Sequence, residues 1–362
     1  MKPTRIDVTS ERGTYPVLVG AGLVRDLPAL LASRGIAQQR VVVTNRTVWR
    51  HHGRKTGGVL MARDQPVFLP DGEKAKTLDT VAKVYEGCVA RGLDRSAGLV
   101  AFGGGVVGDI TGFAAATYLR GIRMAQVPTT LLAQVDSAIG GKTGVNLRAG
   151  KNLVGSFYSP DLVVCDPLTL TTLSRREFRA GLYEVVKYGV IASGRLFARV
   201  QKDLPAIFDR DPDILSSIVA TCCRIKADVV MSDERESGPR RVLNFGHTIG
   251  HALEAITRYR RFRHGEAIGY GMLAAANLSV LRGALSSSDR DRLAGMLTAM
   301  GKCPPVEDLR ASDALDVIAR DKKVVAGRLH FVLVAGIGQT VIVSDVSTRE
   351  LVSAMRSIGM RA

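Results

Sequence analysis

Six histidines occur in the 362 residues, and three of them fall between positions 247 and 264. In Asn244-Phe245-Gly246-His247-Thr248-Ile249-Gly250-His251 two stand at i and i+4. On a helix such a pair shares one face, a spacing that can ligate one metal ion. The run is not H-E-x-x-H, because Thr248 stands where a zincin protease carries its glutamate. His264-Gly265-Glu266 follows, read as a glycine-flanked turn. Upstream, Gly181-Leu182-Tyr183-Glu184-Val185-Val186-Lys187-Tyr188 puts Glu184 and Lys187 at i and i+3, on one helical face inside an apolar run. Charges so placed need partners. A three-ligand zinc site with an open position fits this set of side chains. The competing reading is that they cap helices or lie on solvated faces. Spacing alone leaves open which of His247, His251, His264, Glu184 and Glu266 are ligands.

A second group of candidates is glycine-rich. Gly103-Gly104-Gly105-Val106-Val107-Gly108-Asp109 follows an apolar strand and should open a helix. Glycines let the backbone approach a pyrophosphate, and a helix N-terminus adds positive potential. The run spells G-x-G-x-x-G, but two or more strands precede it and no acid stands about 20 residues downstream. A nucleotide site and a plain tight turn both fit. Asp136 to Thr143 nearly spells a P-loop, with Asp136 in place of the first glycine. A carboxylate there would repel the phosphates that such a loop wraps. The ATPase reading is set aside, and Lys142 is kept as an anion-holding candidate.

Composition bounds the class. With 46% hydrophobic and 23% charged residues, the chain reads as a globular enzyme of two or three domains. No stretch reaches the run of about 18 apolar residues that spans a bilayer. The N-terminus carries Asp7 and no apolar h-region, so a secretory signal is not expected. The five cysteines, Cys88, Cys165, Cys222, Cys223 and Cys303, form no C-x-x-C and read as buried reduced thiols, which fits a cytoplasmic location. The net charge of +16 suits a nucleic-acid binder, an anionic substrate or generic arginine enrichment. The densest basic run, Arg258 to His264, interleaves aromatics, yet no helix-turn-helix, zinc-finger or RNP signature accompanies it. Neither nucleic acid nor membrane is expected as a partner.

The elements that must hold these groups change character along the chain. Val41 to Thr44, Pro66 to Leu69, Ala97 to Phe102 and Met124 to Pro128 read as strands, with helical spacing from Thr77 to Ala90. Strands separated by helices imply a parallel, Rossmann-like sheet. From about Thr172 on, Arg176 to Val190, Asp213 to Val230, Gly246 to Ile256 and Glu266 to Leu281 read as helices. Short strands return near Leu329 to Val334 and Thr340 to Val343. The expected fold is an α/β N-terminal Rossmann-like domain, residues 1–172, followed by a mainly α-helical domain, residues 173–362.

In order, the glycine turn, Thr111 to Gly121, Gln126 to Leu132, Val135-Asp136-Ser137, Gly140 to Thr143, Gly150-Lys151-Asn152, Gly181 to Gly189, Gly246-His247-Thr248, His264-Gly265-Glu266 and Asp321-Lys322-Lys323 closely resemble the 3-dehydroquinate synthase family of sugar-phosphate cyclases. The resemblance covers roughly residues 40 to 335. It implies NAD and Zn2+ (or Co2+) as cofactors, and conversion of the seven-carbon keto-acid phosphate DAHP into 3-dehydroquinate and inorganic phosphate. The implied route is transient oxidation by NAD, phosphate elimination, reduction, ring opening and intramolecular aldol closure. Glu184, His247 and His264 would be the metal ligands, with His251 near the substrate and its phosphate. Asp71, Glu73, Lys76, Gly104, Gly105, Asp109, Thr129, Thr130 and Thr172 match NAD-contacting positions. Lys142, Asn152 and Asn244 match phosphate-binding positions, with Arg120 reaching in from the second subunit of a homodimer. Lys226, Arg240 and Lys322 match groups near the substrate carboxylate, and Lys151, Lys187, Asp136 and Glu236 match other active-site positions. Two runners-up share the architecture. One is a cyclase whose substrate lacks the carboxylate; the other is a metal-dependent polyol dehydrogenase, which would prefer an aspartate as first ligand.

Overall fold

The computed structural model of the protein describes residues 2–36, 39–53, 65–319, 324–325 and 328–362. Packing groups the chain into two units, Met1–Ser174 with Asp209–Arg235, and Arg175–Phe208 with Glu236–Ala362. The sequence reading has one change-over, at 172/173; the chain crosses three times, because the Pro212–Ser232 helix packs on strands of the first unit.

The strands of the first unit are β1 (Thr4–Ser10), β2 (Gly13–Val19), β3 (Arg40–Asn45), β4 (Val67–Leu69), β5 (Gly98–Gly103), β6 (Arg123–Pro128), β7 (Lys142–Leu147), β8 (Gly150–Phe157) and β9 (Leu162–Cys165). Seven of them form one sheet in the order β1-β2-β9-β6-β5-β3-β4, while β7 and β8 form a separate antiparallel hairpin. Only the β1–β2 pair is antiparallel within the sheet. A parallel sheet is covered on both faces, so its strands are apolar at successive positions rather than alternate ones. In β3 and β5, Val41, Val43, Leu99 and Ala101 join the core under the Leu78–Val89 and Gly105–Thr117 helices. The alternate residues Val42, Val100 and Phe102 join the core formed with Leu23, Leu27 and Leu31.

The second unit is mainly helical: Arg175–Ala192, Gly194–Lys202, His247–Ile256, His264–Leu281, Ser287–Ala299, Ala311–Ala319 and Thr348–Ser357, with the antiparallel pairs β10 (Val324–Val325) with β11 (Arg328–Leu329) and β12 (Phe331–Gly336) with β13 (Gln339–Val343). The His264–Leu281 helix packs against both Arg175–Ala192 and His247–Ile256. Glycines permit the approach. A Cβ on Gly265 would lie 1.9 Å from the Ala180 carbonyl oxygen, and one on Gly271 would lie 1.8 Å from that of Gly246. Here the sequence expectation needs correction: the helix read from Glu266 begins at His264, so the expected glycine-flanked turn is its first helical turn, with Glu266 accepting from the Arg263 amide at 2.8 Å.

Gly265→Ala should therefore destabilise the protein by about 1–3 kcal/mol or more, the range for overpacked sites. Gly295→Ala, in the Ser287–Ala299 helix with open space around the new methyl, should leave stability unchanged or raise it by up to about 1 kcal/mol. Thermal or urea unfolding of the two variants reads the contrast; equal melting temperatures would contradict the packing account.

Candidate active site and metal centre

The helical unit brings three of its four histidines together, and two of them face one carboxylate. Glu184 and Lys187 project from the Arg175–Ala192 helix, which is buried almost continuously from Phe178 to Ile191. Lys187 Nζ lies 2.5 Å from Glu184 Oε2. The other oxygen, Oε1, is 3.7 Å from His247 Nε2 and 3.6 Å from His264 Nε2. His247 opens its helix behind Gly246, whose φ of 77° demands glycine, and its Nδ1 is 3.1 Å from the Phe245 carbonyl oxygen. His251, one turn on, brings its ring centroid to 5.2 Å from that of His247 and 5.8 Å from that of His264. One nitrogen from each of the three rings lies within 4.8 Å of the others.

These donors fit a zinc or cobalt ion. Ligands about 2.0–2.1 Å from a tetrahedral ion are about 3.3 Å apart, close to the separations of Glu184 Oε1 from the two Nε2 atoms. The chemistry is that of zinc, imidazole nitrogens with one carboxylate. Partial burial acts to lower the His264 pKa, but Glu254 and Glu184 outweigh it and hold the ring up to about 10. Glu266, one of the candidates that spacing left open, is elsewhere. Its oxygens accept from Arg176 at 2.9 and 2.7 Å and from Arg179 at 2.7 Å. Burial raises its pKa, but these guanidiniums and the Arg263 amide hold it below its ordinary value. It ties the helix start to Arg175–Ala192 and takes no part in the histidine cluster.

The first unit holds a separate polar cluster beyond the carboxyl ends of its parallel strands, the edge where open α/β sheets bind ligands. Gly104 and Gly105 follow β5 and begin the Gly105–Thr117 helix, and a Cβ on Gly105 would crowd Ser137 Oγ at 2.9 Å. Thr129 and Thr130 follow β6, and Asp71 to Lys76 follow β4. Lys76, 4% exposed, bonds both Asp109 and Asn152. Burial pushes the Asp109 carboxyl up while Lys76 opposes it. Asp71 accepts from Thr47 Oγ1 at 2.6 Å, and Thr172 Oγ1 lies 2.9 Å from His52 Nε2. Lys142, Lys151 and Asn152 lie on the β7–β8 hairpin. Lys142 starts a strand rather than a helix, so the near-P-loop lacks the helix N-terminus that such a motif requires.

Family models match the chain in two successive parts. The model described as 3-dehydroquinate synthase N-terminal matches residues 66–180, and that described as 3-dehydroquinate synthase C-terminal matches residues 181–324. The chain belongs to the 3-dehydroquinate synthase family. The 3-dehydroquinate synthase of Geobacter metallireducens is 48% identical over 329 residues, 90% of this chain and 91% of its own. That of Koribacter versatilis is 43% identical over 361 residues, 98% of both chains. Among solved structures, the 2-epi-5-epi-valiolone synthase ValA of Streptomyces hygroscopicus, with NAD+ and Zn2+ bound, aligns with a TM-score of 0.88 at 29% identity, over 98% of this chain and 99% of its own. A 2-deoxy-scyllo-inosose synthase complexed with carbaglucose-6-phosphate, NAD+ and Co2+ aligns with a TM-score of 0.87 at 27% identity, over 98% of this chain and 100% of its own.

The remaining positions matched to the 3-dehydroquinate synthase family form local pairs. Lys226 Nζ lies 2.5 Å from Asp136 Oδ1 and 2.6 Å from its carbonyl oxygen. Asn244 Nδ2 donates to Glu236 at 2.6 Å, and Arg240 is buried on the same 3-10 turn, Pro239–Asn244. Arg120 is exposed, on a turn where Leu119 and Arg120 have φ of 49° and 67°. Lys322 lies outside the described residues. In the basic run, Arg261 pairs with Asp308 at 2.6 Å and Arg263 with Glu177 at 2.6 Å.

Two residues went unread in the sequence. Asn146 sits where the β7–β8 register shifts, donates to Glu73 at 2.8 Å and accepts from the Asn152 amide at 2.9 Å. Nothing local marks it. Glu254 Oε2 lies 3.1 Å from His264 Nδ1. It did carry a signal, an acid seven residues after His247 on the same helical face.

Asp109→Ala should leave the Lys76 ammonium its bond to Asn152 but take away its paired carboxylate, and cost about 3 kcal/mol, since breaking a buried ion pair by removing one partner is strongly destabilising. The double substitution Asp109→Ala with Lys76→Met should recover part of that loss in urea unfolding; a double variant no more stable than the single one would sink the claim.

Proposed function

We propose that the chain catalyses the 3-dehydroquinate synthase reaction, converting DAHP into 3-dehydroquinate and inorganic phosphate. The observation that carries this reading is the grouping of Glu184, His247, His251 and His264 in a chain that matches both parts of the family. Glu184, His247 and His264 hold zinc or cobalt, and His251 faces the substrate. Lys187 engages Glu184 Oε2 and directs Oε1 to the two Nε2 atoms. When bound, NAD supplies a reversible hydride acceptor and the metal acidifies the hydroxyl to be oxidised. NAD is held by Asp71, Glu73, Lys76, Gly104, Gly105, Asp109, Thr129, Thr130 and Thr172, with Lys142 and Lys151 beside it.

The chain's own side chains bind and orient an anionic substrate. Lys142, Asn152, Asn244 and His251 supply donors to the phosphate, where charge develops as it leaves. Glu236 fixes the Asn244 amide by taking one of its N–H groups. Arg240, Lys226 and Lys322 neutralise the carboxylate. Asp136 holds the Lys226 ammonium in place. Lys142-Thr143 and Arg240, matched to the 3-dehydroquinate synthase family, favour a carboxylate-bearing substrate over the sugar phosphates that lack one. We place the enzyme in the cytoplasm, which keeps thiols such as its five cysteines, four of them buried, reduced. No helix among the described residues is long and apolar enough to cross a membrane.

Purified protein should release phosphate from DAHP only with NAD present, without net NADH formation. Chelation should abolish turnover, and zinc or cobalt should restore it. Glu184→Ala, His247→Ala and His264→Ala should lose bound metal by elemental analysis, whereas His251→Ala should keep it and lose about 100-fold or more in kcat/KM. Full turnover by NAD-stripped protein refutes the NAD requirement, and no phosphate release from DAHP by the NAD- and metal-loaded protein refutes the function. Loss of metal from His251→Ala but not from His264→Ala refutes the ligand assignment.

The same reading makes the enzyme a homodimer in which Arg120 serves the other subunit's site. Its exposure supports this, and a forked, permanently charged guanidinium suits a phosphate. Mixing inactive Arg120→Ala with inactive His264→Ala should restore roughly a quarter of wild-type activity, because each mixed dimer has one intact site. Subunit exchange verified by mass with no return of activity would show that Arg120 acts within its own chain or not at all.

A further inference from the structure

Two imidazoles of the cluster are oriented in the same way by different means. His247 Nδ1 meets the Phe245 carbonyl oxygen at 3.1 Å, and its Nε2 faces Glu184 Oε1. His264 Nδ1 meets Glu254 Oε2 at 3.1 Å, and its Nε2 faces the same Glu184 oxygen. The first partner is a neutral carbonyl two residues away; the second is a carboxylate from another helix. Glu254 is only 5% exposed, among the buried Thr248, Ile249, Ala252 and Leu253 of the His247–Ile256 helix. A carboxylate in such a place is costly unless its charge is used. On a ring that ligates through Nε2, the proton belongs on Nδ1, and a carboxylate accepting it fixes the tautomer, holds the ring plane and raises the basicity of Nε2.

We propose that Glu254 is a positioning residue for the metal centre: through Nδ1 of His264 it holds Nε2 toward Glu184 Oε1, and so sets how tightly the site takes a divalent ion. This rests on the metal reading above and extends it to a side chain that does not itself ligate. It makes the two histidines unequal. On the Nδ1 side His247 is held by a backbone carbonyl, while His264 is held by a carboxylate side chain.

The test uses the full-length protein loaded with Co2+, whose visible absorption reports ligand geometry. Affinity is read by competition with a chromogenic chelator. Glu254→Gln keeps an acceptor oxygen but removes the charge, and should weaken Co2+ binding about tenfold; Glu254→Ala removes both and should weaken it up to about 100-fold. Both should shift the Co2+ spectrum, and Glu254→Asp should recover affinity in part. Leu253→Ala, a buried truncation on the same helix, should lower the melting temperature and leave the spectrum unchanged. Wild-type affinity and spectrum in folded Glu254→Gln would overturn the proposal and leave the metal reading standing. Failure of the wild-type protein to take up Co2+ would instead overturn that reading, and the proposal with it.

Discussion

Glu184 is wholly buried in the middle of a helix whose neighbours are apolar, and taking an ionised carboxylate out of water costs several kcal/mol. The arrangement of the helical unit answers that cost. Lys187, one turn along the same helix, supplies a cation to one oxygen. The His247–Ile256 and His264–Leu281 helices bring two imidazoles to the other. Glycine at 265, 269 and 271 lets the backbones close in where any larger residue would strike Ala180, Tyr183 or Gly246. Tight packing of helices and compensation of a buried charge are thus one requirement, and the donor cluster is what it leaves behind.

The sheet unit solves a different problem. Parallel strands with both faces covered leave their carboxyl ends as the place where the following segments converge, and the loops after β4 and β6 and the helix after β5 bring Lys76, Thr129, Thr130 and Asp109 to one edge. The β7–β8 hairpin stands outside the sheet. The register shift around Asn146 lets that side chain meet Glu73, and its backbone N–H donates to the Lys76 carbonyl oxygen at 2.8 Å. The hairpin thereby carries Asn152, at a φ of 54° that asparagine tolerates, to the Lys76 ammonium. A family residue matched to phosphate and one matched to NAD are joined through a single buried lysine.

Much of this was legible in one dimension. The β-branched run at 41–44, the apolar strand ending in three glycines and the helical spacing from Thr77 onward are local patterns with local causes, and each became the element expected. The i, i+4 pair of His247 and His251 lies on one helix because helical geometry alone decides which residues share a face. The edge hairpin β1–β2 was missed, since its pairing with β9 joins segments about 145 residues apart that carry no local mark of one another. The return of Pro212–Ser232 to the first unit escaped notice for the same reason: a helix shows that it has an apolar face, not which body covers it.

For the site, residue types and spacing by themselves determined which side chains could belong to a metal-capable group of His and Glu, with helix caps and solvated faces as the competing reading. They could not separate Glu184 from Glu266, two acids in helices rich in small and apolar residues. That choice depends on which cations stand opposite, and only the tertiary structure supplies them. Arg176 and Arg179 claim both oxygens of Glu266, whereas Lys187 claims one oxygen of Glu184 and leaves the other toward two imidazoles. Spacing is a property of one helix; partnership of a buried charge is a property of all the helices that exclude water from it.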